Sequence, residues 1–267
     1  MNQVGRMTIL DSKTIPLTLE LTRREIEERY SNQILGILWA FIHPAVLILV
    51  YIFLFVVVFK VKIGGTAELP LDYTTYLLTG LAPWLVMSEV LNKSGGLMAS
   101  SSNIVKQVVF PLHILPVKAV LSSLPGFFVS LGILVTYVLA TQEPHQSMLL
   151  LPVLMVLQII LMIGLTYFIS SLGVFFKDLK DFVQVFSFVS MYLMPLFYLP
   201  SAVPGGFKFI LYFNPFSYMI WSYQDLVYFG DFRHWWAFLT FALFSLSTYY
   251  FGRNLFNKLK PSFADVV

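Results

Sequence analysis

Three features of the sequence predict an all-α integral membrane protein with six transmembrane helices. Hydrophobic residues make up 58% of its 267 positions and charged residues only 12%, about half the charge of an ordinary soluble domain. A water-soluble fold of this size could not enclose so much apolar surface, because only part of any chain becomes core. Long stretches also lack Asp, Glu, Lys and Arg altogether. Any of these at a helix centre in a bilayer would cost roughly 2.5–3.5 kcal/mol. Finally, the basic residues segregate. A six-span arrangement puts thirteen of the 17 on one side, leaving Lys60, Lys62, Lys208 and Arg233 on the other. The positive-inside rule assigns the richer side, with both chain ends, to the cytoplasm.

Residues 1–33 are expected to form a cytoplasmic N-terminal segment. Within it, residues 16–31 (PLTLELTRREIEERYS) combine helix formers with a proline near the start. Leu17, Leu21 and Ile26 alternate with charges, which suits an amphipathic helix lying along the membrane interface; a solvated lead-in helix is the plainer alternative. The apolar run that follows is longer than the roughly 7–15 residues of a signal-peptide core, so it is expected to persist as the first span.

The six-span domain is placed at 34–256, with spans at 34–59, 73–92, 114–140, 148–175, 182–199 and 234–256, and a cytoplasmic tail at 257–267. A span needs about 20 predominantly apolar residues. Within residues 200–230, positions 209–229 are apolar enough to suggest a seventh, but Asn214-Pro215 interrupts them and Asp225 lies inside, with Pro195, Pro200, Pro204 and Gly205-Gly206 just before. A seventh span would also export the basic tail. The segment therefore reads as re-entrant outer helices, and such broken backbone survives at membrane depth only when buried in protein or facing a water-filled cavity.

Two cytoplasmic connections stand out. Ser100-Ser101-Ser102-Asn103 precedes Ile104-Val105-Lys106, and Ser or Asn before such a run predicts an N-cap and a short helix, ended by Pro111. That chemistry fits a docking lever for a motor protein and a plain connecting loop equally well. The second, Phe176-Lys177-Asp178-Leu179-Lys180-Asp181, anchors two helix ends at the water surface.

Several chemistries are excluded or unsupported. The chain has no cysteine, so disulfides, thiolate catalysis and Cys-based metal sites are ruled out. No Gly-Lys precedes Ser or Thr, so any ATP must bind another polypeptide. Away from their ends the predicted spans are almost bare of ionisable groups; His43 lies in the first and Glu89 at the inner edge of the second, and for these ordinary packing and snorkelling suffice. Nothing suggests an enzyme, a metal or a bound cofactor, the small net charge is no argument for a nucleic-acid partner, and no internal repeat supports an inverted-repeat carrier. A membrane glycosyl- or acyltransferase would need more carboxylates or histidines than the loops offer.

Aromatics are plentiful, at 17%. Trp235-Trp236 suits an interfacial belt. Tyr51, Phe182, Phe186, Tyr192, Phe197, Tyr198, Phe216, Tyr218, Trp221 and Tyr223 sit deeper or on the broken outer segment. Tyr and Trp can pack on a sugar face and offer a hydrogen bond at once; contact with lipid is the alternative for each taken singly.

The stretch from Arg29-Tyr30 through Leu35-Gly36 to Trp39, with Pro44, resembles the opening of permeases from ATP-binding-cassette polysaccharide exporters, the family that handles O-antigen, capsule and teichoic acid. Gly80-Leu81-Ala82-Pro83-Trp84, Phe176-Lys177-Asp178-Leu179 and Asn214-Pro215 extend the resemblance over nearly the whole chain, with Lys177 where the family often has Arg. It implies a homodimer in the bacterial inner membrane, two separate cytoplasmic ATPase subunits that hold the ATP, and coupling to them through Ser100, Ser101, Ser102, Asn103 and Lys106. The N-terminal helix would lie where the lipid head group enters. Arg29, Tyr30 and Trp39 would begin a substrate path that continues along the aromatics to an outer gate. The cargo would be undecaprenyl-linked polysaccharide, O-antigen first and capsule or teichoic acid next. A drug exporter of the same architecture is the remaining alternative.

Overall fold

The computed structural model describes residues 14–31, 33–59, 71–106 and 110–266. The expectations for residues 1–13, for Lys60 and Lys62 and for the stretch 107–109 lie outside the described residues. Every regular element among the described residues is a helix. Three helical stretches are long and apolar enough to cross a bilayer, Gly36–Val58, Ile114–Thr141 and Gln146–Gly173, and they match the expected first, third and fourth spans.

The N-terminal helix α1 runs Thr14–Tyr30. Leu17, Leu21 and Ile26, expected along the membrane interface, are half-buried. Thr14, Thr18 and Thr22 are the buried residues, a ridge at i, i+4 spacing that lies on one side of a helix. The Thr18 and Thr22 hydroxyls donate to the carbonyls of Thr14 and Thr18, so their polar atoms are satisfied locally, and the helix packs against α6 (Ile114–Leu121).

Helix α2 (Trp39–Ile52) continues the first apolar run and ends in a π-helical turn, Phe53–Val58. Helix α3 (Tyr73–Ser94) is the centre of the molecule, with 17 of its 22 residues buried. Asp72 caps it, accepting the Thr75 backbone N–H at 3.2 Å and its hydroxyl at 2.6 Å, as an N-cap side chain does. After the single turns α4 (Leu97–Ser100) and α5 (Ser102–Val105), α6 and α7 (Leu124–Thr141) break at Ser122-Ser123.

Helix α8 (Leu151–Gly173) pairs with the long last helix α12 (Trp235–Leu259). Two glycines allow the approach. A Cβ on Gly164 would meet the Tyr249 backbone nitrogen at 2.5 Å, and one on Gly252 would collide with the Gly164 carbonyl oxygen. Small residues of this kind let membrane helices close to van der Waals contact of their backbones.

The expected fifth span, 182–199, differs. Helix α9 covers Leu179–Tyr192, 14 residues, about 21 Å at 1.5 Å per residue against a hydrocarbon core of about 30 Å. Pro195 and Pro200 lie beyond it, and proline cannot continue the ladder. The segment that follows is broken, as expected: α10 (Phe209–Phe213), α11 (Pro215–Tyr223) and a π-helical run Gln224–Phe229. Asn214 caps α11 by accepting from Phe216 N–H at 3.1 Å, with Pro215 in the first turn, and Gly230 closes the run at φ +73°, a conformation natural to glycine. A last single turn, α13 (Phe263–Val266), buries Phe263 against Phe256 and Phe175.

Candidate functional site

A cavity of about 450 Å³ lies where the end of α1 meets α2, α3 and the break between α6 and α7. Arg29 and Tyr30 occupy the last turn of α1, Trp39 and His43 the start of α2, and Glu89 and Lys93 the final turns of α3. Ser122 and Ser123 reach it because the helix breaks there. Arg29, Tyr30 and Trp39, identified from the opening motif, are thus brought together on one wall.

Glu89 organises the polar part of the cavity. A single oxygen, Oε1, receives Arg29 Nη1 at 2.6 Å, Lys93 Nζ at 2.9 Å and the Ser123 hydroxyl at 3.2 Å. Lys93 also donates to Ser123 Oγ at 2.7 Å. Alongside, Glu25 of α1 pairs with Lys118 of α6 at 2.9 Å and accepts the Ser122 hydroxyl at 2.7 Å. The N-terminal helix is therefore tied down by two separate ionic contacts. Burial works against the Arg29 charge, but Glu89 outweighs it and raises the guanidinium further above its ordinary value. Burial also raises the Tyr30 phenol above its ordinary value. Sequence reasoning set Glu89 aside as a snorkelling residue and missed Lys93, Ser122 and Ser123 entirely. The residues that join them come from sequence positions up to 97 apart, and no local pattern carries that signal.

The aromatic candidates divide. Tyr51, Tyr192 and Phe197 form one group: Phe197 lies 5.6 Å from each of the other two rings and stacks on Phe55 at 4.6 Å. Tyr198 borders it, donating to the Tyr192 carbonyl at 2.8 Å. Phe182 and Phe186 stack at 6.2 Å on the open face of α9. Phe216, Trp221 and Tyr223 are enclosed within the protomer. Tyr223 donates to Gln158 Oε1 at 2.7 Å, and the Gln158 amide donates to the Pro83 carbonyl at 2.8 Å. Trp221 sits among Tyr212, Tyr218, His234 and Trp236. These rings build the frame of the outer segment, with Tyr218 half-exposed at its edge. The buried Asp225 completes that frame, accepting the His234 backbone N–H at 2.6 Å and contacting His234 Nδ1 at 2.8 Å.

At the end of the bundle that carries α1 and α13, the short helix expected after the Ser100–Asn103 run is the single turn α5, which begins within that run at Ser102, and Ser101 at its N-cap makes no side-chain capping bond among the described residues. Ser100, Asn103 and Lys106 are exposed, while Ser101 and Ser102 are half-buried. Val105 points inward to a cluster with Leu97, Met98 and Phe263, so a polar ridge stands on an apolar footing. No group of His, Asp and Glu that could hold a metal ion occurs among the described residues.

Residues 16–228 match the family model described as ABC-2 type transporter. The chain belongs to the ABC-2 type transporter family. It is thus an integral membrane transport subunit, and the resemblance seen at Arg29–Trp39, Gly80–Trp84, Phe176–Leu179 and Asn214-Pro215 is borne out. Curated relatives align along nearly the full length of this ABC-2 subunit. An O-antigen export system permease protein of Klebsiella pneumoniae is 28% identical over 94% of this chain and 95% of its own. One of Myxococcus xanthus is 26% identical over the same shares. A polysialic acid transport protein of Escherichia coli is 22% identical over 87% of this chain and 89% of its own.

Proposed function

We propose that this chain is the membrane-spanning subunit of an ATP-driven exporter that moves undecaprenyl-linked polysaccharide, O-antigen above all, across the bacterial inner membrane. The observation that carries this reading is the end-to-end alignment with O-antigen export permeases. In it, six spans cross the membrane, residues 200–230 re-enter from the outer side, and both termini face the cytoplasm. The polar cavity at Arg29, Tyr30 and Trp39 receives the phosphate-bearing lipid head group as it arrives from the inner leaflet.

Two copies form the working unit, and two cytoplasmic ATPase subunits drive it. The open apolar face of α9, with Phe182, Phe186 and Tyr192 exposed, together with the little-buried first span, supports an assembly in which these surfaces face a second copy and the glycan. Tyr51, Phe197, Tyr198 and Tyr218 lie along the same route, whereas Trp221 and Tyr223 hold the outer segment in shape. The ridge at Ser100, Ser101, Ser102, Asn103 and Lys106 is the ATPase contact. ATP closes the partner subunits, the ridge moves, and the polymer is threaded stepwise.

The test is depletion of the protein in its native host. Full-length lipid-linked glycan is expected to accumulate on the cytoplasmic leaflet, with none at the surface. Normal surface glycan with no trapped polymer would sink the reading. Capsule is the second cargo, favoured by the polysialic acid transport relative; loss of capsule with O-antigen intact would select it.

A further inference from the structure

We propose that Glu89 is an exchangeable internal counter-anion, which occupies Arg29 and Lys93 until a phosphate of the arriving lipid replaces it. This rests on the exporter reading and adds to it a mechanism of recognition. The cavity contains two fixed cations and one carboxylate within 3 Å of both, so it keeps an excess of one positive charge. The carboxylate is used lopsidedly. Its Oε1 takes three donors, while Oε2 accepts none among the described residues. The Arg29 guanidinium, in turn, makes one hydrogen bond among the described residues, through Nη1, so the planar fork that suits a bidentate oxyanion is half unused. Lys93 donates to Glu89 and to Ser123.

The phosphate that links lipid to glycan is esterified on both sides, so it offers two free acceptor oxygens and about one negative charge. It can engage both faces of the Arg29 fork and the Lys93 ammonium together, which one carboxylate oxygen cannot. The cavity is also roomier than its resident carboxylate needs: about 450 Å³, within the range of small-molecule sites. Arg29 stands on the last turn of α1 and Lys93 on α3, so the exchange replaces the direct Arg29–Glu89 contact with a phosphate held between the two helices, while the Glu25–Lys118 pair at 2.9 Å continues to hold α1 to α6. Arrival of the head group thereby exchanges an internal contact of the N-terminal helix for one made through the lipid.

The experiment measures binding of undecaprenyl phosphate to the purified full-length protein in nanodiscs. Undecaprenol, which has the same tail and no phosphate, and inorganic pyrophosphate are the comparison probes. Removing a competing anion strengthens binding of the one it competes with, so Glu89→Gln is expected to tighten undecaprenyl phosphate about tenfold. Arg29→Gln and Lys93→Gln are expected to weaken it about tenfold, and none of the three should alter undecaprenol. Glu89→Asp, which keeps the charge but withdraws it by one methylene, is expected to lie between wild type and Glu89→Gln, and it serves if Glu89→Gln does not fold. Weaker or unchanged binding in both Glu89 variants would overturn the proposal, since a carboxylate that merely orders the two cations should be missed when it is removed. Displacement of the lipid by equimolar inorganic pyrophosphate would overturn the lipid as the source of the phosphate. Depletion tests the exporter reading separately: normal surface glycan beside a tightened Glu89→Gln would remove that reading and leave the exchange standing.

Discussion

Helices α9 and α11 flank the same connection and draw on the same residue types, Phe, Tyr, Ser, Met and branched aliphatics, yet their surroundings are opposite. In α11, seven of nine residues are buried. In α9, four of 14 are, and Phe182, Val185 and Phe188 stand more than 60% exposed. The difference lies in what each helix has to pack against. Helix α11 enters the notch between α3, α8 and α12, where the hydroxyl of Tyr223 finds Gln158 and Asn214 caps its start. Helix α9 touches mainly α3 and leaves its outer face bare. An aromatic inside a membrane protein is thus a frame element in one helix and a free surface in the other, and its identity does not say which.

That contrast is open to test. The closest packing in the buried half is the α8–α12 contact. Gly252→Leu is expected to abolish folded protein, judged by a monodisperse peak on size-exclusion chromatography in mild detergent, because the side chain would occupy the space of the Gly164 carbonyl and overpacking of this severity exceeds about 3 kcal/mol. A well-folded Gly252→Leu protein would mean that the two helices are not in backbone contact.

Within α11, Trp221→Ala is expected to cost about 3–5 kcal/mol of stability, the range for a buried large aromatic, and to lower the thermal midpoint clearly. Tyr223→Phe should cost less, about 1–3 kcal/mol, by leaving Gln158 Oε1 without its donor in a buried site. On α9, by contrast, Phe182→Ala and Val185→Ala are expected to shift stability by less than about 0.5 kcal/mol, as exposed substitutions do, while reducing the glycan that reaches the surface. If they destabilise the protein as much as Trp221→Ala does, the exposed face of α9 is filled within the protomer and the contrast fails.

The smallest expected effect is in pH. His113, at the end of α6, is held below its ordinary value of 6.5 by burial first and then by Lys260 and Arg253. The unfolded chain therefore takes up a proton before the folded protein does. Stability from this group is intact above about pH 6.5, falls as the pH drops below it, and levels off once the folded ring is also protonated. His113→Asn is expected to flatten that part of the melting-temperature profile. An unchanged slope would assign the acid sensitivity elsewhere.

Much of this fold was legible along the chain because its causes are local. A run without charges announces an apolar helix, since lipid leaves a charge unsolvated; Gly36–Val58, Ile114–Thr141 and Gln146–Gly173 follow from that alone. Asn214-Pro215 and Gly230 mark the breaks in the outer segment through their own backbone preferences. The opening motif likewise pointed to Arg29, Tyr30 and Trp39, which do line one cavity. Tertiary structure alone decided the rest. The buried ridge of α1 is threonine, whose hydroxyls bond back to their own helix. Glu89 became the centre of a site only when α1 brought Arg29 to it from 60 residues away. Likewise, the chain's many aromatics were sorted into frame and open surface by which helices happened to leave a notch beside them. Hydropathy and backbone preference are properties of a few neighbouring residues and can be read in order, whereas a charge's partner and a ring's burial belong to whichever segments meet in space.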